Sequence, residues 1–272
     1  VWLSQECERL SLPFVTEKQE LHLTRQESKE GLEEVSRKAR YEFLTRVAHE
    51  QSCTQIAVAH TRDDQAETVL HHLIRGTGIA GLRGIPRTRL LQSGQFLIRP
   101  MLELSRDDVL LYLKDCAQDF RTDESNTDLS FTRNRIRHQL IPLLKKEFNP
   151  NVAQAVHRLA QQADEITAVV AEQADQILAA ATLDRNQEIW RLDCAVFHDI
   201  PDYLIRQCFL KIWQEMSWSR KRMGFDHWER LLKLTRSGQK LSLPDQIEAE
   251  RRERLLILRK LKNAATESGE RF

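Results

Sequence analysis

The spacing of apolar residues in the first half of the chain predicts helices that alternate with short strands. A compact apolar run predicts a buried strand, and apolar residues that recur every three or four positions predict a helix. The predicted elements are the end of a helix over residues 1–10, a strand at Phe14–Leu21, a helix from Ser28 to about Glu50, a strand at Gln55–Ala59, a helix from Thr61 to about Arg75, a hairpin of Arg89–Leu91 with Phe96–Ile98 around Ser93-Gly94, and a helix from Ser105 through Cys116. This alternation predicts an α/β domain built on a doubly wound parallel sheet.

The helix that begins at Ser28 carries an apolar stripe at helical spacing. Its members are Leu32, Val35, Ala39, Phe43 and Val47. We expect this stripe to face the sheet, because a surface helix buries its apolar side.

The pattern changes after the first 118 residues. Asp119–Ser130 reads as a polar loop and Arg133–Phe148 as a basic amphipathic helix, and Asn149-Pro150 is a suitable start for a long helix to about Ala181. Beyond it we predict a strand at Glu188–Leu192, helices at about Pro201–Met216 and Trp228–Leu234, and strands at Gln246–Glu250 and Leu255–Leu258. The chain is therefore expected to form two domains, residues 1–148 and a mainly helical α+β domain of residues 149–272.

Composition favours a soluble protein of the cytoplasm. The five cysteines are odd in number and widely spaced, and no C-x-x-C occurs, which argues against a disulfide framework and a zinc ribbon. No apolar run approaches the roughly 20 residues that span a bilayer, so no membrane partner is expected.

The net charge of +1 hides an asymmetry along the chain. Ser219–Phe272 has 14 Lys and Arg residues against 8 Asp and Glu residues, a net charge of +6, which leaves −5 for residues 1–218. A basic C-terminal region suits a polyanionic partner. A solvated basic surface explains the same charge, so charge alone does not decide between them.

The strongest candidate for a functional site is the acidic start of the helix at Thr61. Asp63, Asp64 and Glu67 follow the predicted strand within a few residues, at the sheet edge where open α/β sheets bind ligands. Helical spacing places Asp64, Glu67, Thr68, His71 and Arg75 on one face. Helix capping and the helix dipole account for one or two of the acids. A metal-binding or ammonium-binding role is the functional alternative.

Two further patterns in this region have ordinary explanations. Gly76-Thr77-Gly78-Ile79-Ala80-Gly81 matches G-x-G-x-x-G, but it follows a helix instead of a strand, so a helix cap and turn explain it. His60, His71 and His72 contain no H-x-x-x-H pair, so no transition-metal site is expected from the protein alone.

Several motifs together resemble those of the tRNA(Ile)-lysidine synthetase family of PP-loop ATP pyrophosphatases. The stretch from Ala59 to Leu82 is similar to the family signature A-H-x-x-D-D-Q-A-E-T-x-L-x-x-L-x-R-G-x-G-x-x-G-L. Further matches are Glu34–Tyr41 to E-x-A-R-x-x-R-Y, Arg99-Pro100-Met101-Leu102 with Arg106 to R-P-L-L…R, Asp123–Arg137 to D-x-S-N-x-D…F-x-R-N-x-I-R, and, more weakly, Leu241-Ser242-Leu243-Pro244 to the smaller substrate-binding domain. The resemblance implies an adenine nucleotide α-hydrolase-like sheet, of which this chain carries part.

The resemblance also implies a reaction and its participants. ATP, as its Mg²⁺ complex, adenylates the wobble cytidine of a tRNA(Ile) with a CAU anticodon, and free L-lysine then displaces AMP to give lysidine. The implied catalytic residues are Asp63, Asp64, Glu67, Arg37 and Arg40, with His60, Arg75 and Arg99 on the phosphate side. The implied tRNA-binding residues are Asn126, Arg133, Asn134, Arg135 and Arg137. Arg37 and Arg40 have an alternative as partners of surface acids, and a homodimer is left open.

Two departures from the family pattern affect these expectations. The family's A-H-H is Ala59-His60-Thr61 here, and its S-G-G-x-D-S loop, which cradles ATP phosphates through backbone N–H groups, does not occur. We therefore expect the chain to be N-terminally truncated and inactive by itself. A non-catalytic tRNA-binding remnant and another PP-loop tRNA-modifying enzyme are the alternatives, although the lack of C-x-x-C disfavours the thiolases that use such pairs.

Overall fold

The computed structural model of the chain describes residues 1–19, 29–91, 93–122 and 128–261. It separates into two compact units, Val1–Asp164 and Glu165–Phe272. This division falls within a long helix, whereas the sequence places the boundary near Asn149. The two-domain boundary at residues 148 and 149 stays a prediction.

The first unit contains a small sheet and the helices around it. The helices are α1 (Trp2–Arg9), α2 (Lys29–Glu50), α3 (Arg62–Ile74), α4 (Ile79–Leu82), α5 (Arg106–Asp115), α6 (Thr132–Arg135), α7 (Ile141–Glu147) and the start of α8 (Val152–Ala181), and the strands are β1 (Gln55–Ala57), β2 (Thr88–Leu90) and β3 (Phe96–Ile98). The strand order is β1-β3-β2. β1 and β3 are parallel, and β2 pairs with β3 as an antiparallel hairpin. The predicted α/β class and the hairpin are confirmed.

The parallel pairing of β1 and β3 determines which edge of the sheet carries the candidate site residues. The carboxyl ends of parallel strands meet at one edge of a sheet, so the residues that follow β1 and β3 lie close together. His60 follows β1 and Arg99 follows β3 directly. The described sheet is mixed because its edge strand β2 is antiparallel.

Helix α2 packs on this sheet with a face different from the predicted one. Ala48 is buried against Ile56 of β1 and Leu97 of β3, with Tyr41 and Leu44 packed beside it. The predicted stripe is only half-buried at Val35, Ala39, Phe43 and Val47, and the side chain of Leu32 lies outside the described part. The short strands cover only a narrow strip of the helix, and the residues on that strip are the small Ala48 and the amphipathic Tyr41.

The predicted strand at Phe14–Leu21 is wrong over its described residues. Residues 14–19 have no regular structure and are exposed, and residues 20 and 21 lie outside the described part. Extended residues form a stable strand only when a neighbouring strand accepts and donates their backbone hydrogen bonds. No such partner is present among the described residues.

A π-helical turn interrupts the predicted basic helix Arg133–Phe148. The structure divides this segment into α6, a π-turn at Ile136–Leu140, and α7. Pro142 lies in the first turn of α7 and has no backbone N–H to donate to a carbonyl of the preceding turn. The preceding turn is therefore wider, with hydrogen bonds between residues five apart. Ile136 and Ile141 pack on Ala66, which brings this basic segment against α3.

The second unit is an α+β structure with more sheet than the sequence indicates. Its strands are β4 (Thr182–Arg185), β5 (Ile189–Asp193), β6 (Lys240–Leu243), β7 (Ile247–Arg252) and β8 (Leu255–Lys260), and its helices are the remainder of α8, α9 (Asp202–Glu215) and α10 (Phe225–Leu234). The antiparallel order is β4-β5-β8-β7-β6. The sequence missed β4 and β6. Both are edge strands of four residues; β4 is mostly exposed, whereas β6 alternates exposed and buried residues.

Trp213 lies at the centre of the second unit's core, with edge-on contacts to Trp218 and Trp228. In the described part of the chain, no helix is long and apolar enough to cross a bilayer.

Candidate functional site

Two of the three acids at the start of α3 accept hydrogen bonds from backbone N–H groups at the start of a helix. Thr61 is the N-cap, and Asp64 Oδ2 accepts hydrogen bonds from its backbone N–H (2.8 Å) and its hydroxyl (3.0 Å). Asp63 Oδ2 accepts from the backbone N–H of Arg106 (2.7 Å), at the first turn of α5. Glu67 takes part in neither arrangement, so capping explains only two of the three acids.

Glu67 is almost fully buried, with 1% of its side chain exposed, and two arginines surround its carboxylate. Arg137 Nε lies 2.5 Å from Glu67 Oε1, and Arg137 Nη2 lies 3.0 Å from Oε2. Arg133 Nε donates to the same Oε2 at 3.1 Å. Asp64 Oδ1 accepts from Nη2 of both arginines, at 3.0 and 3.2 Å. Two acids and two bases thus form one hydrogen-bonded cluster, called here the acid–arginine cluster.

The two arginines reach the cluster because they lie on the same face of α6 and the π-turn, as residues four apart do on a helix. Each uses its Nε and Nη2 edge, while its Nη1 group makes no hydrogen bond to any other residue that the structure describes. Burial lowers the pKa of Arg137, but its hydrogen bond to Glu67 and the charges of Glu67 and Asp64 outweigh burial and raise that pKa. The carboxylates therefore hold two permanently charged guanidiniums in a defined orientation.

His60 and Arg99 form the second part of the site, at the carboxyl ends of β1 and β3. Arg99 is buried; its Nη1 donates to the carbonyl of Pro86 (2.5 Å), and its Nε donates to His60 Nδ1 (3.2 Å). Burial lowers the pKa of His60 to about 4, the charge of Asp64 opposes this, and the charges of Arg99, Arg133 and Arg37 add to it. His60 is therefore neutral near pH 7, with Nδ1 as the acceptor and its proton on Nε2.

The other candidates from the sequence differ in their placement. Arg37 stacks on Tyr41 of the same helix, with its guanidinium carbon 5.6 Å from the ring centre. Arg40 is exposed and makes no ion pair within the part of the chain that the structure describes. Arg75 is the C-cap residue of α3, and its side chain is exposed.

The remaining residues of the predicted tRNA-binding set do not join the acid–arginine cluster. Asn134 Nδ2 donates to the backbone carbonyl of Asp128 (2.9 Å), and the exposed Arg135 donates to the hydroxyl of Thr132 (3.1 Å). Asn126 lies outside the described residues. Arg135 points away from the cluster because it is two residues from Arg133 on a helical turn.

Gln65 organises the glycine-rich loop, a role that the sequence analysis missed. Its Nε2 donates to the carbonyl of Arg83 (2.9 Å), and its Oε1 accepts from the backbone N–H of Ile85 (2.6 Å). Gly84 has a φ of +62°, and a Cβ there would lie 2.4 Å from Gln65 Oε1. The loop therefore folds around a buried amide. A glutamine between acids at a helix start was the available signal.

No group of three or more His, Cys, Asp or Glu side chains converges in a metal-binding arrangement among the residues described here. Asp64 and Glu67 instead form salt bridges with Arg133 and Arg137.

Comparisons with known proteins identify the family of this chain. The model of the PP-loop domain family matches residues 1–144, and the chain belongs to that family.

Individual relatives are more specific. The chain is 33% identical to the tRNA(Ile)-lysidine synthase of Rhodopirellula baltica over 251 residues, which are 85% of this chain and 62% of that protein. It is 31% identical to the tRNA(Ile)-lysidine synthase of Geobacter sulfurreducens over 249 residues, 90% of this chain and 52% of that protein. It is 35% identical to the enzyme of the same name from Coxiella burnetii over 185 residues, 68% of this chain and 40% of that protein. The chain thus spans less than two thirds of the length of these relatives.

Proposed function

We propose that this protein is a tRNA-modifying ligase that converts the wobble cytidine of tRNA(Ile) to lysidine. The cytidine O2 attacks the α-phosphorus of ATP, and pyrophosphate leaves. The amine of free L-lysine then attacks C2 of the activated base, and AMP leaves. Mg²⁺ accompanies ATP and offsets the phosphate charge. We expect the reaction in the cytoplasm.

The observation that carries this proposal is the burial of Glu67 between Arg133 and Arg137, beside Asp64. A solvated surface ion pair does not require a carboxylate that is 1% exposed. Burying such a charge is unfavourable unless several donors compensate it, and Arg133 and Arg137 supply three donor contacts to Glu67. The arrangement orients charged groups at the ligand-binding edge of the sheet.

The cluster can act on both halves of the reaction. The Nη1 groups of Arg133 and Arg137 present N–H donors suited to phosphate oxygens or to the O2 of cytidine. The carboxylates of Asp64 and Glu67 suit the ammonium of lysine, which must exchange with a guanidinium contact to reach them. Asp63 positions α5 and supports the cluster through its charge on Arg137.

His60 and Arg99 suit the phosphate side of the reaction. A neutral histidine with its proton on Nε2 donates one hydrogen bond to an anionic oxygen without giving up that proton. Arg37 and Arg40 supply further positive charge from α2, and Arg75 from the end of α3.

The test is a lysidine-forming assay with the purified protein, a tRNA(Ile) transcript carrying a CAU anticodon, ATP with Mg²⁺, and radiolabelled lysine. For a protein that includes the family's S-G-G-x-D-S loop, we expect the label to appear in tRNA, with one AMP and one pyrophosphate formed for each lysine incorporated, and for residues 1–272 alone we expect no AMP. A transcript with guanosine at the wobble position is the matched control and should remain unlabelled.

Two results would contradict the proposal in different ways. Tight tRNA binding without AMP formation in the presence of all substrates would favour a non-catalytic tRNA-binding protein. AMP formation without lysine incorporation would favour another PP-loop modification.

A further inference from the structure

A groove lies between α2 and the edge strand β2, apart from the acid–arginine cluster. Its volume is about 1020 Å³. The lining includes Arg37, Tyr41 and His49 from α2, and Arg89 and Ser93 from the hairpin. The groove therefore begins near the carboxyl edge of the sheet, where Arg37 lies, and continues along the helix.

Two arginines in this groove share one aromatic ring. The guanidinium carbon of Arg89 lies 5.5 Å from the centre of the Tyr41 ring, and that of Arg37 lies 5.6 Å from it. Cation–π contacts of this length are attractive and limit the rotamers of both arginines. Tyr41 itself is fixed, because it packs on the core around Leu97 and interacts with the buried guanidinium of Arg99.

Within the described part of the chain, the neighbouring cations of this region have acidic partners and these two arginines do not. Lys38 Nζ lies 3.7 Å from Glu42 Oε1. On the hairpin side, Arg87 Nη1 lies 3.5 Å from Glu103 Oε1. Neither Arg37 nor Arg89 pairs with a carboxylate in the described part of the chain. Two exposed guanidiniums are thus held close together by an aromatic ring, and no carboxylate of the described residues forms an ion pair with either of them.

We propose that Arg37, Tyr41 and Arg89 form a binding site for the phosphodiester backbone of the RNA substrate. This inference rests on the proposed tRNA-modifying function and extends it to a surface outside the acid–arginine cluster. Guanidiniums bind phosphate oxygens through paired N–H groups, and their planes also accept stacked bases. A groove with arginines from both α2 and β2 in its lining suits a polyanionic strand.

The shape and lining of the groove favour RNA over the phosphates of ATP. Compact nucleotide phosphates are usually cradled by backbone N–H groups at a glycine-rich turn or helix N-terminus. This groove is lined by side chains from the middle of α2 and from β2, and its apolar members Leu90 and Leu91 suit ribose and base surfaces.

The test compares Arg89→Ala with Arg87→Ala. Both remove one exposed arginine from the hairpin and change the net charge equally, but only Arg89 lies on Tyr41. The dissociation constant for the CAU-anticodon tRNA(Ile) transcript is measured between about 50 and 200 mM salt, the range over which phosphate contacts are resolved. ATP affinity is measured on the same samples.

We expect Arg89→Ala to weaken tRNA binding about three- to tenfold and to reduce the slope of log K against log salt by about 1, as the loss of one phosphate contact does. Arg87→Ala should leave affinity within about twofold. Equal effects of the two variants, or an effect of Arg89→Ala on ATP affinity alone, would overturn the inference. Failure of the unaltered protein to bind tRNA at all would instead overturn the proposed function.

Discussion

The Nε atom of Arg137 lies 2.5 Å from Oε1 of Glu67, a carboxylate that is 1% exposed. Arg137 lies in the π-turn after α6, and Glu67 belongs to the second turn of α3, so the pair joins two segments that are 70 residues apart in sequence. Removing one member of such a pair leaves the other charge without its partner. Four predictions test this pair and the residues around it.

Glu67→Gln should impair lysidine formation more than it impairs folding. The amide keeps the volume but loses the charge that orients Arg133 and Arg137. We expect at least a tenfold loss of lysine incorporation and a loss of about 2–3 kcal/mol in the free energy of unfolding. Glu42→Gln, at an exposed acid of α2, is the control. Normal lysidine formation by Glu67→Gln would make Glu67 purely structural.

Alanine at Arg133, Arg135 and Arg137 together should weaken tRNA binding and make it less sensitive to salt. Each lost phosphate contact lowers the salt slope by about 1. Arg135→Ala alone isolates the exposed member, which donates to the hydroxyl of Thr132 and makes no hydrogen bond to Glu67. Binding isotherms and a thermal melt of each variant separate lost affinity from lost folding. Unchanged tRNA affinity in the triple variant would show that this segment does not contact the tRNA.

Gly84→Ala should destabilise the fold much more than Gly78→Ala. Gly84 has a φ of +62°, and an added Cβ would lie 2.4 Å from the Gln65 carbonyl oxygen, whereas a Cβ on Gly78 meets nothing within 4 Å. We expect a loss of about 2–4 kcal/mol at Gly84 and less than about 1 kcal/mol at Gly78. Denaturant unfolding of the two variants measures the difference. Similar midpoints would mean that Gln65 does not hold the loop.

His60 should make folding stability depend on pH between about 4 and 6.5. Its pKa is about 4 in the folded protein against 6.5 as its ordinary value. The unfolded chain therefore binds more protons in this window. The contribution of His60 is fully present above pH 6.5 and is lost as the pH falls towards 4. It amounts to about 2 kcal/mol at most, because the ring is only half-buried and water screens its charge.

His60→Asn supplies the comparison for that prediction. The free energy of unfolding of the variant should fall less steeply from pH 6.5 to 4 than that of the unaltered protein. Parallel curves for the two proteins would show that His60 titrates at its ordinary pKa in the folded state.

The chain's local patterns predicted its elements better than its sheet or its buried faces. Ser105 caps α5 as predicted, with its hydroxyl accepting from the N–H of Asp108 at 3.0 Å, because capping depends on residues within one turn. The face of α2 was predicted less well: Ala48 is buried while Val47 is half-buried. The sequence of a helix does not show the width of the sheet on which the helix packs.

The same contrast applies to the site. Motif spacing alone placed Asp64 and Glu67 on one face of a helix after a strand, and this depends only on the 3.6-residue period. It also placed Arg133 and Arg137 on one basic segment. It did not show that the four side chains bind one another, nor that Asp63 turns towards α5, since both depend on how distant segments pack.

The sequence by itself therefore determined the helices α2, α3 and α5, the hairpin, the family resemblance and the choice of candidate residues, because these follow from local periodicity and short motifs. Tertiary structure alone decided which charges meet: Glu67 with Arg137, His60 with Arg99, and Arg89 with Tyr41. The physical reason is that electrostatic interactions and burial act through distance in space, and the parallel pairing of β1 with β3 and the packing of α3 against the π-turn bring these residues together from distant parts of the chain.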